Sequence, residues 1–220
     1  MLLSPPRLAS RSERLWLVRN ALMSSSRSHR YGLCALGLSA LVGLAGFSYV
    51  LASSPIVRFE REQITISVHR DHILVDGVYF YRNPFPFPVI QGLSIPLPAD
   101  YAHPMPVDLE VEELSPRPHM LTLRYIWGLP RFDLPLRSNE TACLHVHYYQ
   151  NAPTSDARYI LTTTQPWLRP LEVGEYVLIP RGVKLLHSNY PLVSAPSGAA
   201  QFCMLQFMPR QDWVFSWQAQ

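Results

Sequence analysis

The stretch from Tyr31 to Ala52 contains 22 residues and no charged side chain. Because an α-helix rises 1.5 Å per residue, about 20 residues cross the ~30 Å hydrocarbon core of a bilayer. Residues 1–30 carry only one acid, Glu13, against six arginines: Arg7, Arg11, Arg14, Arg19, Arg27 and Arg30. The positive-inside rule keeps such a basic segment in the cytoplasm. The sequence therefore predicts one transmembrane helix at 31–52, followed by an extracytoplasmic domain.

Two features of this N-terminal part leave alternatives open. Val50–Ala52 has the small residues that a signal peptidase accepts, so the segment could instead be a cleaved export signal. Its apolar stretch exceeds the ~7–15 residues of a signal core, which favours a retained anchor. Within the basic leader 1–30, residues 11–23 form either a short interfacial helix, with Leu15, Val18 and Leu22 on one face, or part of a disordered basic tail.

Small residues recur along the predicted span at steps of three and four. They are Gly32, Ala35, Ser39, Gly43 and Gly46. This spacing places them on one side of a helix, where small side chains allow a second helix to approach closely. We expect this face to pack against the spans of other membrane protein subunits.

The chain beyond the span is long enough for one domain. Residues 53–60 form a short tether, which reaches at most about 26 Å at ~3.3 Å per residue, and 61–220 form the domain. Without the six leader arginines and Glu13, the sequence has 13 basic and 15 acidic residues. The positive charge of the whole chain therefore comes from the leader, and with a net charge of −2 on the remainder we expect no nucleic-acid partner. The domain is therefore expected to act close to the bilayer.

Beyond the tether, side chains alternate with a period of two, as in Ile64, Ile66 and Val68. Many short apolar runs separated by proline corners predict an all-β, antiparallel sandwich or barrel. The predicted strands are Ile64–Val68, His72–Arg82, Ile90–Leu97, Val107–Glu113, Met120–Tyr125, Thr141–Gln150, Arg158–Thr164, Gly174–Ile179, Val183–Ser188, Ala200–Phe207 and Trp213–Trp217.

Several short motifs carry a family resemblance. They are EQITIS at 62–67, VYFYRN at 78–83, IPLP at 95–98, YILTTTQPW at 159–167 and FMPRQDWVFSW at 207–217. Together they resemble a bacterial secreted domain family of unknown function, and more weakly the sandwich domains that precede von Willebrand modules. The resemblance implies an immunoglobulin-like β-sandwich and no assigned activity. This chain departs from that family in having a predicted membrane span before the domain.

The strand Thr141–Gln150 holds the clearest candidate for a metal site. Cys143, His145 and His147 alternate along it and would project from one side. A thiolate and two imidazoles can bind zinc or copper. The competing interpretation is a solvent- or partner-facing surface without metal, and we expect no resident cofactor.

The loop 84–88 alternates proline with Phe85 and Phe87. Rigid exposed aromatics favour contact with a protein partner or with lipid headgroups, whereas core packing is the alternative. The His69–His72 segment predicts a hairpin turn rather than an acid-base pair, because no serine or cysteine occupies a recognisable nucleophile loop. The chain is therefore not expected to be an enzyme.

These features together predict a membrane-anchored accessory subunit of a larger complex, of which respiratory and photosynthetic assemblies are examples. The alternative is an extracytoplasmic ligand- or metal-binding module. Cys143 and Cys203 both lie in the exported part, where a disulfide is allowed, but their spacing along the chain does not decide whether it forms.

Overall fold

A computed structural model describes residues 55–100 and 102–220 of the chain. The described part consists of fourteen strands and one short 3₁₀ helix, as the all-β prediction requires. The strands are β1 Arg58–Val68, β2 His72–Arg82, β3 Val89–Ser94, β4 Val107–Ser115, β5 His119–Met120, β6 Arg124–Ile126, β7 Leu129–Leu136, β8 Thr141–Asn151, β9 Asp156–Tyr159, β10 Leu171–Pro180, β11 Val183–Ser188, β12 Val193–Ser194, β13 Ala200–Phe207 and β14 Trp213–Ala219, and the 3₁₀ helix is Thr162–Trp167.

Eight strands form one large sheet in the order β12-β13-β10-β1-β2-β8-β4-β5. Its central strands alternate as the sequence predicts. Along β1, Ile64, Ile66 and Val68 are fully buried, and the side chains between them lie on the opposite face. β-branched residues at every second position suit such a half-buried pleated strand.

Two three-stranded sheets, β11-β14-β9 and β3-β7-β6, contribute to the same core as the large sheet. Ile66 of the large sheet, Leu134 of β7 and Phe215 of β14 all belong to a single cluster of buried side chains. Layers of sheet that share one apolar core are the arrangement of a β-sandwich. The predicted β-sandwich is confirmed as an all-β arrangement of sheets around one core.

The prediction of a purely antiparallel sheet is wrong at one strand pair. β1 and β10 run parallel, with Ile64 opposite Tyr176. A parallel pair requires a crossover of a dozen or more residues. The chain provides it, because all of β2 to β9 and the 3₁₀ helix lie between Val68 and Leu171.

Three predicted strands include residues that lie outside the observed strands. The predicted strand Ile90–Leu97 ends with β3 at Ser94. The predicted strand Arg158–Thr164 ends with β9, and the chain then enters the 3₁₀ helix. The Asp212 carboxylate accepts hydrogen bonds from the backbone N–H groups of Leu161 and Thr162, which removes two donors that a longer strand would need. The predicted strand Met120–Tyr125 is divided between β5 and β6, which belong to different sheets.

The strand β7, Leu129–Leu136, was not predicted because it contains Pro130 and Pro135. Its burial nevertheless alternates strictly, with every second side chain in the core. Pro135 is accommodated because its backbone faces the free side of β7, where the Arg117 guanidinium donates to its carbonyl oxygen at 2.7 Å. Proline is tolerated where no ladder bond is lost.

The predicted leader and span lie outside the described residues. So do the helix-packing residues Gly32, Ala35, Ser39, Gly43 and Gly46. No helix in 55–100 or 102–220 is long and apolar enough to cross a membrane. β1 starts at Arg58, three residues before the predicted domain boundary. The backbone N–H groups of Ile56 and Val57 donate to the Gln91 side chain at 2.9 and 3.4 Å, which attaches this end of the domain to β3.

Candidate functional site

The predicted strand Thr141–Gln150 is β8, and its two faces are divided as the sequence indicates. The core face holds Leu144, Val146 and Tyr148, and the outer face holds the half-buried Cys143, His145 and His147. The outer face of the large sheet therefore presents two imidazoles side by side, with ring centroids 6.4 Å apart.

The partner of both imidazoles is Asp76 on the neighbouring strand β2. One carboxylate oxygen, Oδ1, lies 2.9 Å from His147 Nδ1 and 3.3 Å from His145 Nε2. On the other side of β8, Glu110 and Glu112 of β4 face the same two histidines in the ladder. The sequence did not indicate Asp76 as a site residue, because its position opposite His147 depends on the register of β2 against β8.

Cys143 is separated from this acid–imidazole group by its position along β8. It faces Phe80 on one side and Ser115 on the other. Burial raises the pKa of the Cys143 thiol, which disfavours the thiolate that binds metals. Within 55–100 and 102–220, no three His, Cys, Asp or Glu side chains are grouped so that they could hold a metal ion. Metal binding by Cys143, His145 and His147 stays a prediction.

Cys143 and Cys203 are both free thiols. They lie on β8 and β13, and the strands β2, β1 and β10 separate them in the large sheet. Four strand spacings of ~4.8 Å place them about 19 Å apart, whereas a disulfide requires Cα atoms within about 7 Å. The disulfide that the sequence allowed does not form.

The loop 84–88 holds its two aromatic rings stacked, with centroids 5.2 Å apart. Phe87 is 54% exposed, and Phe85 is half-buried. The buried side chain of Asn83 fixes the loop, since its amide donates to the carbonyl oxygens of Phe87 and Arg137 at 2.8 Å and its oxygen accepts from the Phe85 N–H. Contact of Phe85 and Phe87 with a partner or membrane surface stays a prediction.

A buried carboxyl lies inside the sandwich, which the sequence did not indicate. Glu62 of β1 is only 4% exposed, and the Tyr176 hydroxyl donates a hydrogen bond to its Oε1. Desolvation raises the pKa of Glu62 to about 7, although the bond from Tyr176 acts in the opposite direction. In the ladder Glu62 lies between Tyr79 on β2 and Gly174 on β10.

Two glycines make room for the tyrosines around Glu62. A Cβ atom at Gly174 would lie 2.6 Å from Tyr176 Oη, and one at Gly77 would lie 2.5 Å from Tyr79 Oη. Each ring therefore folds back along its strand over a residue without a side chain. The Tyr79 hydroxyl reaches that of Tyr159 at 2.6 Å, and burial raises the pKa of both phenols well above the ordinary value.

The edge of the large sheet at β13 is only partly covered. The short strand β12 pairs with Ala200 and Gln201 and extends no further along β13. Among the described strands, the remainder of β13 has β10 as its sole neighbour. Leu205 is 72% exposed and Met204 is 38% exposed on this remainder. Such an edge offers unpaired backbone groups to an incoming strand.

A groove of about 460 Å³ runs beside this edge. Met204 and Met208 lie in its wall together with Tyr190, and Arg210 contributes a positive charge. The Tyr190 ring stacks on the Phe202 ring, with centroids 4.9 Å apart. Phe202 in turn stacks on Tyr176, with centroids 4.4 Å apart, and the Tyr176 hydroxyl is the group that bonds to Glu62. The groove is thus linked to the buried carboxyl only through the intervening rings of Phe202 and Tyr176.

No protein-family model matches the chain, and no curated protein sequence matches it. A crystal structure of a proposed nutrient binding protein from Legionella pneumophila is similar, with a TM-score of 0.60 and 12% identity over 76% of this chain and 68% of that one. An M1 zinc metallopeptidase from Deinococcus radiodurans has a TM-score of 0.40 and 10% identity over 73% of this chain and 42% of the peptidase. The Legionella comparison shows a shared fold.

Proposed function

We propose that this protein is a single-pass accessory subunit that docks to and stabilises a larger membrane protein complex, such as a respiratory or photosynthetic assembly. Residues 31–52 anchor it in the bacterial inner membrane, with residues 1–30 in the cytoplasm and the sandwich in the periplasm. The length of the uncharged segment and the six leader arginines support this topology. Its partners are other membrane subunits and the lipid bilayer, and its role is structural rather than enzymatic.

The free edge of β13 is the observation that carries the docking role. A sheet edge with exposed apolar side chains is an aggregation hazard, and monomeric proteins usually protect it with charges, prolines or a covering segment. Here Leu205 and Met204 stand exposed beside a groove with a methionine- and tyrosine-lined wall. Methionine adapts its shape to a partner, and tyrosine is enriched at interfaces.

The test is mild-detergent extraction from native membranes, followed by size analysis and mass identification of the proteins that co-migrate. We expect the full chain to migrate in a species much larger than 25.1 kDa. Leu205→Glu places a charge on the edge and should release the subunit. Ile90→Glu is the matched control, because Ile90 is 69% exposed on β3, in a different sheet, and it should leave the complex intact. A wild-type chain that migrates alone contradicts the proposal.

A ligand- or metal-binding module is the second candidate function. The similar Legionella structure is described as a proposed nutrient binding protein, which favours this reading by analogy of fold. The residues that would bind the metal are those that the sequence indicated, Cys143, His145 and His147 on the outer face of β8. One thiolate and two imidazoles can bind zinc or copper.

Metal content of the purified full chain separates the two candidates. If the module binds metal, zinc or copper should co-purify with the wild type and be lost in the His145→Ala/His147→Ala double variant. The His187→Ala variant is the control, because it removes an exposed histidine on β11. A wild-type chain that folds normally after exposure to zinc and copper, but retains neither, contradicts the second candidate.

A further inference from the structure

The β6–β7 hairpin ends in an unusual turn. Ile126 pairs with Leu129, so the turn has two residues, Trp127 and Gly128, with φ values of +52° and +79°. Positive φ at both positions is typical of a type I′ turn, in which Asn-Gly is the preferred pair. A bulky side chain in this region of φ is a rare and unfavourable choice. Folding alone therefore does not explain a tryptophan at the tip.

The tip is also the most exposed apolar part of the described domain. Trp127 is 99% exposed, Tyr125 is 63% exposed, and Ile126 and Leu129 are each about two-fifths exposed. Single exposed apolar residues are ordinary, but four within five residues at the end of one hairpin are suited to form a contact surface. Trp127 contributes no buried area to the core of the sandwich.

Two arginines lie directly behind this tip. Arg124 and Arg131 face each other in the ladder, one on each strand of the hairpin. Arg124 is paired with Asp133 at 2.5 Å, whereas Arg131 forms no ion pair with any residue that the structure describes. Aromatic side chains followed by arginine suit a membrane surface, because tryptophan and tyrosine prefer the headgroup layer and arginine binds lipid phosphates.

The length of chain before the domain allows the hairpin to reach lipid. Only residues 53–57 separate the predicted span from β1, and at ~3.3 Å per residue they reach about 17 Å. The chain enters beside Gln91 of β3, which lies opposite Leu134 of β7 in the same small sheet as the hairpin. Leu134 is six residues from Gly128, a distance of about 20 Å along a strand.

We propose that the β6–β7 hairpin inserts its tip, Tyr125, Ile126, Trp127 and Leu129, into the headgroup layer of the bilayer that anchors the chain. Arg131 and Arg124 contact the phosphates of anionic lipids. The hairpin is a second point of attachment besides the span, so it fixes the orientation of the sandwich over the membrane. This inference rests on the anchored topology of the proposed function.

The test uses the full chain, one copy per nanodisc, in phosphatidylethanolamine with phosphatidylglycerol. The test compares two proteins that both carry Trp16→Phe, one with Trp127 and one with Trp127→Phe. The difference between their emission spectra reports the tip alone. We expect the Trp127 emission to lie at shorter wavelength than in water and to lose most of its intensity when the acyl chains are brominated near the headgroup. Arg131→Gln should weaken this quenching. The matched control moves the tryptophan to another exposed position, in Leu168→Trp/Trp127→Phe, where emission should stay water-like and unquenched.

Each remaining outcome counts against the proposal in a distinct way. Water-like, unquenched Trp127 emission from a chain that resists carbonate extraction overturns the hairpin contact and leaves the anchor in place. A shift to shorter wavelength without quenching by bromolipid assigns the tip to a protein contact instead. Release of the chain by carbonate overturns the anchored topology itself.

Discussion

Glu62 places a carboxyl in the apolar core, and this links the stability of the sandwich to pH. Its pKa is raised from 4.5 to about 7, mainly because burial disfavours the charged form. Between these pH values the unfolded state has released the proton while the folded state still holds it. The free energy of unfolding therefore falls as the pH rises from about 4.5 to about 7. The total contribution of this one group is about 3 kcal/mol.

The Glu62→Gln variant should lose this pH dependence. Glutamine keeps an oxygen that can accept the Tyr176 hydroxyl, but it cannot ionise. Relative to wild type, the variant should gain about 3 kcal/mol of unfolding free energy between pH 5 and pH 8, measured by urea denaturation of the full chain in mild detergent. The exposed Glu110→Gln variant is the control and should follow the wild type. Parallel pH profiles for Glu62→Gln and wild type would contradict the buried, protonated carboxyl.

Gly174 should tolerate no side chain. A Cβ atom there would lie 2.6 Å from Tyr176 Oη, and Tyr176 is fully buried and cannot move aside freely. Gly174→Ala should lower the free energy of unfolding by about 1–3 kcal/mol, as overpacking does. Gly92→Ala is the matched control on β3, because its Cβ would meet Asp133 at an ordinary 3.8 Å. Equal stability of the two variants would show that Tyr176 does not occupy the space above Gly174.

At the scale of elements, patterning by period two was sufficient to predict the strands that lie fully within the core layer. β8 alternates over its eleven residues and β1 alternates from Glu62 to Val68, so the faces of both followed from the sequence. β2 was predicted as a strand, but its burial alternates only from His72 to Val78. β7 did not, because Pro130 and Pro135 argue against a strand unless the side on which each backbone group faces is known. The 3₁₀ helix depends on Asp212, which is about fifty residues away along the chain.

The candidate sites divide in the same way between local and non-local information. The common face of His145 and His147 is a property of one strand and was predicted. Their shared partner Asp76 belongs to another strand, and it could be found only once the register of β2 against β8 was known. The burial of Glu62 likewise depends on Gly174 and Tyr176, which lie more than a hundred residues further along.

Trp127 destabilises the turn of the β6–β7 hairpin, because it adopts a positive φ of +52°. Trp127→Asn should raise the free energy of unfolding of the detergent-solubilised chain by about 0.5–1 kcal/mol, because asparagine tolerates positive φ. Trp127→Val should lower it, because β-branched residues are least tolerant of that conformation. Urea denaturation compares the two variants with wild type. A decrease for both would show that Trp127 stabilises the hairpin through contacts within the domain.

At the scale of the whole molecule, three surfaces of the domain differ in character. The outer face of the large sheet carries an acid and two imidazoles at Asp76, His145 and His147, whereas the β13 edge and the β6–β7 tip each expose apolar side chains. The β13 edge suits an added strand, and the β6–β7 tip suits lipid. A subunit held at a bilayer by a short tether can use both at once, which is why the proposed function joins docking to anchorage.

The most direct test of this account is the topology of the full chain in spheroplasts. We expect the chain to stay in the membrane pellet after a carbonate wash, with its N-terminal sequence retained. Protease added outside intact spheroplasts should remove residues after the span and leave the arginine-rich segment protected. Release by carbonate, or a mature chain that starts near Ser53, would contradict the membrane-anchored subunit.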